Sequence, residues 1–236
     1  MKRVRSGPGV ESGAGWWSNR VVQYNEFIRR VVPGYDEQLA RLVRCLPDAR
    51  RVFELGCGTG NLSLALAAWN RTADFSFVDA VPEMLDVTRA RLSAMFPDVT
   101  LRARFIESYF ERLPLEPDSC DLVVSSLAIH HVADKASLFR MLCEAITPGG
   151  SLRFVDGLAG ASERNHRLSW DAYVGHWTSR CTDDEIRDLL EHADQHDHYR
   201  TLREHFHLLE AAGFVDCDCV WRDGLWTIVT AEVPAG

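Results

Sequence analysis

Short apolar runs alternate with stretches of helical periodicity through the middle of this chain. The runs fall at 51–55, 74–79, 100–106, 120–126 and 151–156, and each is separated from the next by a helical pattern. Strands that alternate with helices predict a parallel sheet covered by helices on both faces. Thr147-Pro148-Gly149-Gly150 stops the fourth helix and turns the chain into the fifth strand. From Trp16 to about Leu46 the pattern is helical, with a break at Pro33-Gly34. Residues 160–212 also read as helices, but they are rich in Trp, His, Tyr and charge. Thr182-x-x-Glu185 and Thr201-x-x-Glu204 are capping-box patterns, and Gly213 is a helix stop. Phe214–Trp221 and Leu225–Val233 then flank Arg222-Asp223-Gly224, a hairpin signal.

The chemistry concentrates where the first strand ends. Val52-Phe53-Glu54-Leu55-Gly56-Cys57-Gly58-Thr59-Gly60 is an apolar run, an acid and a glycine-rich turn, and a helix-forming stretch follows from Asn61 to Trp69. Glycines permit positive φ and close backbone approach to a ligand, and the helix N-terminus offers free N–H groups. A dinucleotide fingerprint wants G-x-G-x-x-G, but here the spacing is G-x-G-x-G with Asn61 at the third site. Glu54 would repel a pyrophosphate and suits a ligand with an amine or hydroxyls. Phe75-Ser76-Phe77-Val78-Asp79 is a second apolar run ending in an acid, and Asp79 lies 23 residues after Gly56. An acid near that distance takes ribose hydroxyls in doubly wound folds. A turn aspartate is the plainer alternative. Pro82 and Glu83 open the next helix.

Composition narrows the function. The 236 residues carry a net charge of -8 and no basic run, which disfavours nucleic acid as a partner. Met1-Lys2-Arg3-Val4-Arg5 is basic, but no apolar core follows, so a signal peptide is not expected. No stretch approaches the ~20 apolar residues of a membrane span, and no membrane partner is expected. Seven cysteines without a C-x-x-C pair read as a reduced, cytoplasmic protein. Cys217 and Cys219 read as packing residues on one strand face. Residues 1–15, rich in Gly and Ser, are expected to be flexible.

The glycine loop resembles motif I of the class I S-adenosylmethionine-dependent methyltransferases, and Asp79 and Pro148-Gly149-Gly150 extend the resemblance. A group of bacterial small-molecule methyltransferases is suggested by three further stretches. They are Tyr24-x4-Arg29-x3-Pro33-Gly34-Tyr35, Ser125-Ser126-Leu127-Ala128-Ile129-His130-His131, and Asp197-His198-x2-Thr201-Leu202 running into Ala212-Gly213-Phe214. The resemblance implies an α/β, Rossmann-like fold with a seven-stranded, mostly parallel sheet whose last strand is antiparallel. Residues 16–236 would form one domain, with 16–46 as an N-terminal helical cap and 160–212 as a helical lid inserted before the last strand pair. Residues 16–35 and 160–200 would together cover the reacting end of the cofactor.

S-adenosyl-L-methionine is then the implied cofactor, and its implied binding residues are Tyr24, Arg29, Glu54, Gly56, Cys57, Gly58, Gly60, Asp79, Ala80, Met84, Ser108, Tyr109, Ser126 and Leu127. Two positions depart from the family pattern. Ser108 stands where an acid usually accepts the adenine amino hydrogen, with Glu107 beside it expected to point to the other face. Tyr24-Asn25 stands where Tyr-Asp is common. Arg29 would pair with the cofactor carboxylate, and Tyr24 would face the sulfonium.

Methyl transfer needs positioning and a dry site, and a base only where the nucleophile is protonated. His131, after the fourth strand, is the candidate proton acceptor, while His130 reads as structural. Trp170-x2-Tyr173-x3-Trp177 has helix-stripe spacing that suits a core or a substrate wall. Tyr173 and His176 are the wall candidates. The histidines at 192, 196, 198, 205 and 207 invite a metal reading, but the resemblance supplies no metal there, and none is expected. The leading function is methylation of a small organic molecule by a monomer or homodimer. A second use of the cofactor stays open, in which its own amine attacks its side chain to give a cyclic amino acid and methylthioadenosine. Protein or RNA methylation and a non-catalytic scaffold are further alternatives.

Overall fold

The computed structural model describes residues 11–18, 20–113 and 115–236. Seven strands form one sheet: β1 (Arg51–Leu55), β2 (Asp74–Asp79), β3 (Arg104–Glu107), β4 (Cys120–Ser126), β5 (Ile146–Gly157), β6 (Val215–Asp223) and β7 (Trp226–Glu232). Their order is β3-β2-β1-β4-β5-β7-β6. The strands β1 to β5 pair in parallel, and β7 runs antiparallel to both β5 and β6. The chain order reverses between β1 and β4, so the crevice outside their carboxyl ends is where such a sheet takes ligands. Val52, Phe53, Glu54 and Leu55 are all buried, as expected of a strand covered on both faces.

One layer of core packs Leu42, Leu66, Leu92, Phe75 and Phe77 together, and the other packs Phe53, Phe139, Phe154, Leu209 and Phe214. The helices of the body are α3 (Tyr35–Arg44), α4 (Asn61–Trp69), α5 (Pro82–Met95), a single turn α6 (Pro97–Thr100), α7 (Lys135–Ala145) and α10 (Leu202–Ala212). Pro82 sits in the first turn of α5 with Glu83. Both predicted capping boxes form, Thr182 with Glu185 and Thr201 with Glu204, and Gly213 ends α10 at φ +107°.

Two strand boundaries move. The run at 100–106 is not a strand from its start, because Pro97 begins a helical turn and the Thr100 hydroxyl donates back to the Phe96 carbonyl at 3.0 Å. Pairing with β2 begins only at Arg104. Strand β5 starts at Ile146 rather than 151, since Ile146 already pairs with Cys120 before a bulge shifts the register to Leu122 and Ser151.

The remaining helices gather above the carboxyl edge. They are α1 (Glu11–Ser18), α2 (Tyr24–Val31), α8 (Glu163–Trp177) and α9 (Asp183–His196). The expectation of flexibility for residues 1–10 lies outside the described residues, and α1 begins within the remainder of that stretch. Polar ties hold α2 to the later helices. Trp177 Nε1 donates to the Val31 carbonyl at 2.9 Å, and Arg30 pairs with Glu185 at 2.5 Å. Arg20 pairs with Asp188 at 3.0 Å. Among the described residues, no helix is long and apolar enough to cross a membrane.

Candidate active site

The glycine turn after β1 is built by backbone geometry. Gly56, Gly58 and Gly60 have φ of +70°, +53° and +83°, a region that L side chains avoid. A Cβ on Gly56 would stand 2.4 Å from the Ala128 Cβ, and one on Gly60 would stand 2.9 Å from the Thr88 hydroxyl. The N–H groups of Gly56 and Cys57 both donate to the Val78 carbonyl at 2.9 Å, which locks the turn to β2. Asp79 completes the lock: Oδ2 accepts from Gly58 N at 2.8 Å and Oδ1 from Val81 N at 2.9 Å. Burial pushes its carboxyl up to about 6, with those N–H groups pulling the other way.

A cavity of about 400 Å³ opens at this point. Tyr24, Gly56, Gly58, Asp79, Ala80, Met84, Ser108, Tyr109, Ser126, Leu127 and His131 all line it. The structure thus brings together eleven of the residues singled out in the sequence. The fit to a nucleoside ligand is visible in Asp79 and Ser126. Each Asp79 oxygen uses one lone pair on the backbone and retains another for a hydroxyl, and the buried Ser126 Oγ has no partner. Leu127 holds φ +55° at the mouth of β4, costly geometry for a branched residue and typical of functional sites.

Six singled-out residues lie elsewhere. Glu54 is fully buried beneath the turn, where Oε2 accepts the Ser63 hydroxyl at 2.6 Å, and burial pushes its carboxyl up to about 8. Cys57 and Gly60 shape the turn without lining the cavity. Arg29 faces outward and pairs with Asp36 at 2.9 Å, because the Pro33-Gly34 turn returns the first residues of α3 to α2. His176 Nε2 bonds the Arg30 carbonyl at 3.0 Å and so ties α8 to α2 instead of facing the cavity. Tyr173 lines a separate, inner compartment of about 60 Å³. Glu107 is exposed, as its expected outward direction requires.

The inner compartment adjoins the larger cavity through Trp17, Tyr24, Leu127, His131 and His192, which line both. Its walls are aromatic. Trp17 lies 5.5 Å from Tyr24 and 5.4 Å from His192 between ring centroids, and Tyr173 lies 5.0 Å from Trp226. Trp17, His192, Asp197 and Tyr199 were not identified as site residues from the sequence. The signals were indirect: Asp197 opens one of the three family-like stretches, and His192 stands among the histidines weighed for a metal.

A charge network sits behind these walls. His130 Nδ1 bonds Asp156, and His130 Nε2 lies 3.7 Å from Asp197 Oδ1. Burial opposes a charged His130, but the two carboxylates win and raise its pKa. His131 Nδ1 lies 2.9 Å from Asp197 Oδ1, yet burial and the neighbouring His130 charge hold His131 below the usual imidazole value. Burial and His131 push His192 down to about 3. The donor atoms of His130, His131 and Asp197 fall within 4.8 Å of one another, close enough for a metal ion. Asp156 holds His130 by Nδ1, which leaves Nε2 as the nitrogen facing Asp197.

Comparison with known proteins agrees with this geometry. Residues 52–150 match the family model described as a methyltransferase domain. An uncharacterized methyltransferase of Mycobacterium bovis is 36% identical over 142 residues, covering 60% of this chain and 51% of that one. A malonyl-[acyl-carrier protein] O-methyltransferase of Halorhodospira halophila is 31% identical over 181 residues, covering 77% and 54%. The chain spans about half the length of these relatives. Among solved structures, human N-acetylserotonin methyltransferase in complex with S-adenosylmethionine superposes with a TM-score of 0.63 at 18% identity, over 96% of this chain and 58% of that one. The methyltransferase solved with the Haloferax volcanii Trm112 activator gives 0.68 at 18% identity, over 97% and 99%. The fold is that of a Rossmann-like methyltransferase. Residues 52–150 match a methyltransferase domain, and the fold around them is one that S-adenosylmethionine-dependent methyltransferases share.

One consequence concerns Asp79. Asp79→Ala should weaken S-adenosylmethionine binding by about 1.5–3 kcal/mol, the scale of a hydrogen bond to a charged group. Calorimetry is the check, and an unchanged affinity would take Asp79 out of the site.

Proposed function

We propose that the protein transfers a methyl group from S-adenosylmethionine to a small organic acceptor. The observation that carries this reading is the joining of two spaces. A cavity of about 400 Å³ beside the glycine turn and Asp79 leads into an aromatic compartment of about 60 Å³. The first is of the size that small ligands and cofactors use. The second has room for about two waters, so a bulky acceptor does not fit it closed. Relatives act on acyl-carrier-bound malonate and in ubiquinone biosynthesis by their names, but the Trp17 and Tyr24 walls favour a smaller acceptor here. Residues 16–35 and 160–200 act as the lid, held together by the Arg30–Glu185 and Arg20–Asp188 pairs. His131 takes the proton of the nucleophile. It lines both spaces and is kept neutral by burial.

The small size of the inner compartment also favours a second reading. The substrate's own amine attacks its γ-carbon, an N–C bond forms, the C–S bond breaks, methylthioadenosine leaves, and the amine gives up a proton. One experiment separates the two. Protein incubated with S-adenosylmethionine, with and without a panel of small acceptors, is followed by mass spectrometry. Methyl transfer yields S-adenosylhomocysteine only when an acceptor is present. Methylthioadenosine with cofactor alone means cyclisation, and neither product under any condition sinks both readings.

A further inference from the structure

The inner compartment holds acceptor atoms with lone pairs to spare. The Asp197 side chain is 6% exposed, and its Oδ2 takes the Tyr199 hydroxyl at 2.7 Å. Its Oδ1 faces His131 Nδ1 at 2.9 Å and keeps a second lone pair for a ligand. His192 is 7% exposed, and neither of its ring nitrogens has a partner. Its Nε2 lies 3.9 Å from Asp197 Oδ1. A neutral imidazole keeps one nitrogen as an acceptor, so His192 and Asp197 both offer lone pairs to the same space. Buried polar atoms left unpaired are costly, and a water, an ion or a ligand group at this place would satisfy them. The surrounding rings of Trp16, Trp17 and Tyr24 exclude water and attract cations.

We propose that this compartment is a subsite for an aliphatic primary ammonium, held by Asp197 and His192 among the aromatic walls. The inference deepens the proposed function, because it names the reacting group as an amine delivered in its protonated form. The ammonium passes one proton to neutral His131, and the freed lone pair attacks carbon on the sulfonium. An N–C bond forms, a C–S bond breaks, and the sulfur leaves as a neutral thioether. The ammonium has two possible sources, a separate amine or the α-ammonium of S-adenosylmethionine itself. A metal would seek the same donors, so competition with zinc separates the two occupants.

Binding without turnover tests the subsite. Ethylammonium and ethanol are titrated into the protein saturated with S-adenosylhomocysteine, and separately with methylthioadenosine, which lacks the amino-acid tail. The wild type should bind ethylammonium at least tenfold more tightly than ethanol, and Asp197→Asn should lose that preference. Binding in both complexes assigns the subsite to a separate amine. Binding only beside methylthioadenosine assigns it to the α-ammonium. Equal binding of ethanol and ethylammonium, or an unaffected Asp197→Asn, overturns the proposal. Zinc that binds tightly and displaces ethylammonium overturns it in favour of a metal. Affinity for S-adenosylhomocysteine reports whether the variant is folded, and if it is lost the wild-type ratio decides alone. Failure of methyl transfer in the product assay leaves this binding result intact, so the two readings fail separately.

Discussion

His131→Ala is expected to lower turnover about 10²–10⁴-fold, the range of a general base, while affinity for S-adenosylmethionine changes little. The expectation rests on position and protonation. His131 lines both the large cavity and the inner compartment, and burial with the His130 charge keeps its ring neutral. With Nδ1 beside Asp197, Nε2 is the nitrogen left to take a proton. His131→Asn keeps size and polarity but cannot accept a proton near neutrality, so it should be nearly as slow. The pH–rate profile should be flat above 6.5, the ordinary imidazole value, with its acid limb below it. Activity restored by Asn would reduce His131 to orienting the substrate. A fall in melting temperature alone, with rate unchanged, would make it a packing residue. Under cyclisation Tyr24 variants should cost more than His131 variants, because Tyr24 stands beside the reacting end. The structure withdraws Arg29 from that test, since it faces Asp36.

The sheet and the cofactor side of the site were legible because local chemistry decides them. Positive φ at Gly56, Gly58 and Gly60 is a demand on single residues, and Asp79 ends a strand whose apolar run announces it. Arg29, Glu54 and His176 were harder, because their placement depends on partners distant in sequence or across a turn. Arg29 is captured by Asp36 and His176 by the Arg30 carbonyl, while Glu54 drops below the turn onto Ser63. The inner compartment was least legible. Its walls come from Trp17, His131, His192 and Asp197, on segments joined only by tertiary packing, and their spacing along the chain carries no period. Likewise Pro97 starts a helical turn just before the run at 100–106 and carries it into the run's first residue, where strand and helix patterns compete.

Glu54→Gln is expected to stabilise the cofactor-free protein at alkaline pH by several kcal/mol and to flatten its stability profile. Glu54 is buried, and among the described residues its carboxyl takes one side-chain hydrogen bond, from Ser63. Burial pushes its carboxyl from 4.5 to about 8. The folded state therefore binds this proton more tightly than the unfolded state. The contribution is fully present below pH 4.5, declines by about 1.4 kcal/mol per pH unit above it, and is lost once pH passes about 8. Gln keeps the shape and can still pair with the Ser63 hydroxyl, but it never ionises. Asp79, raised to about 6, has the same sign and acts mainly below pH 6. His130, with its raised pKa, also loses stability as pH rises, so the difference between wild type and variant is what reads Glu54. Denaturant unfolding at pH 5, 7 and 9 supplies that difference, which should grow with pH in favour of Gln. A constant difference across the three would mean that Glu54 is ionised throughout and carries its charge stably beneath the glycine turn.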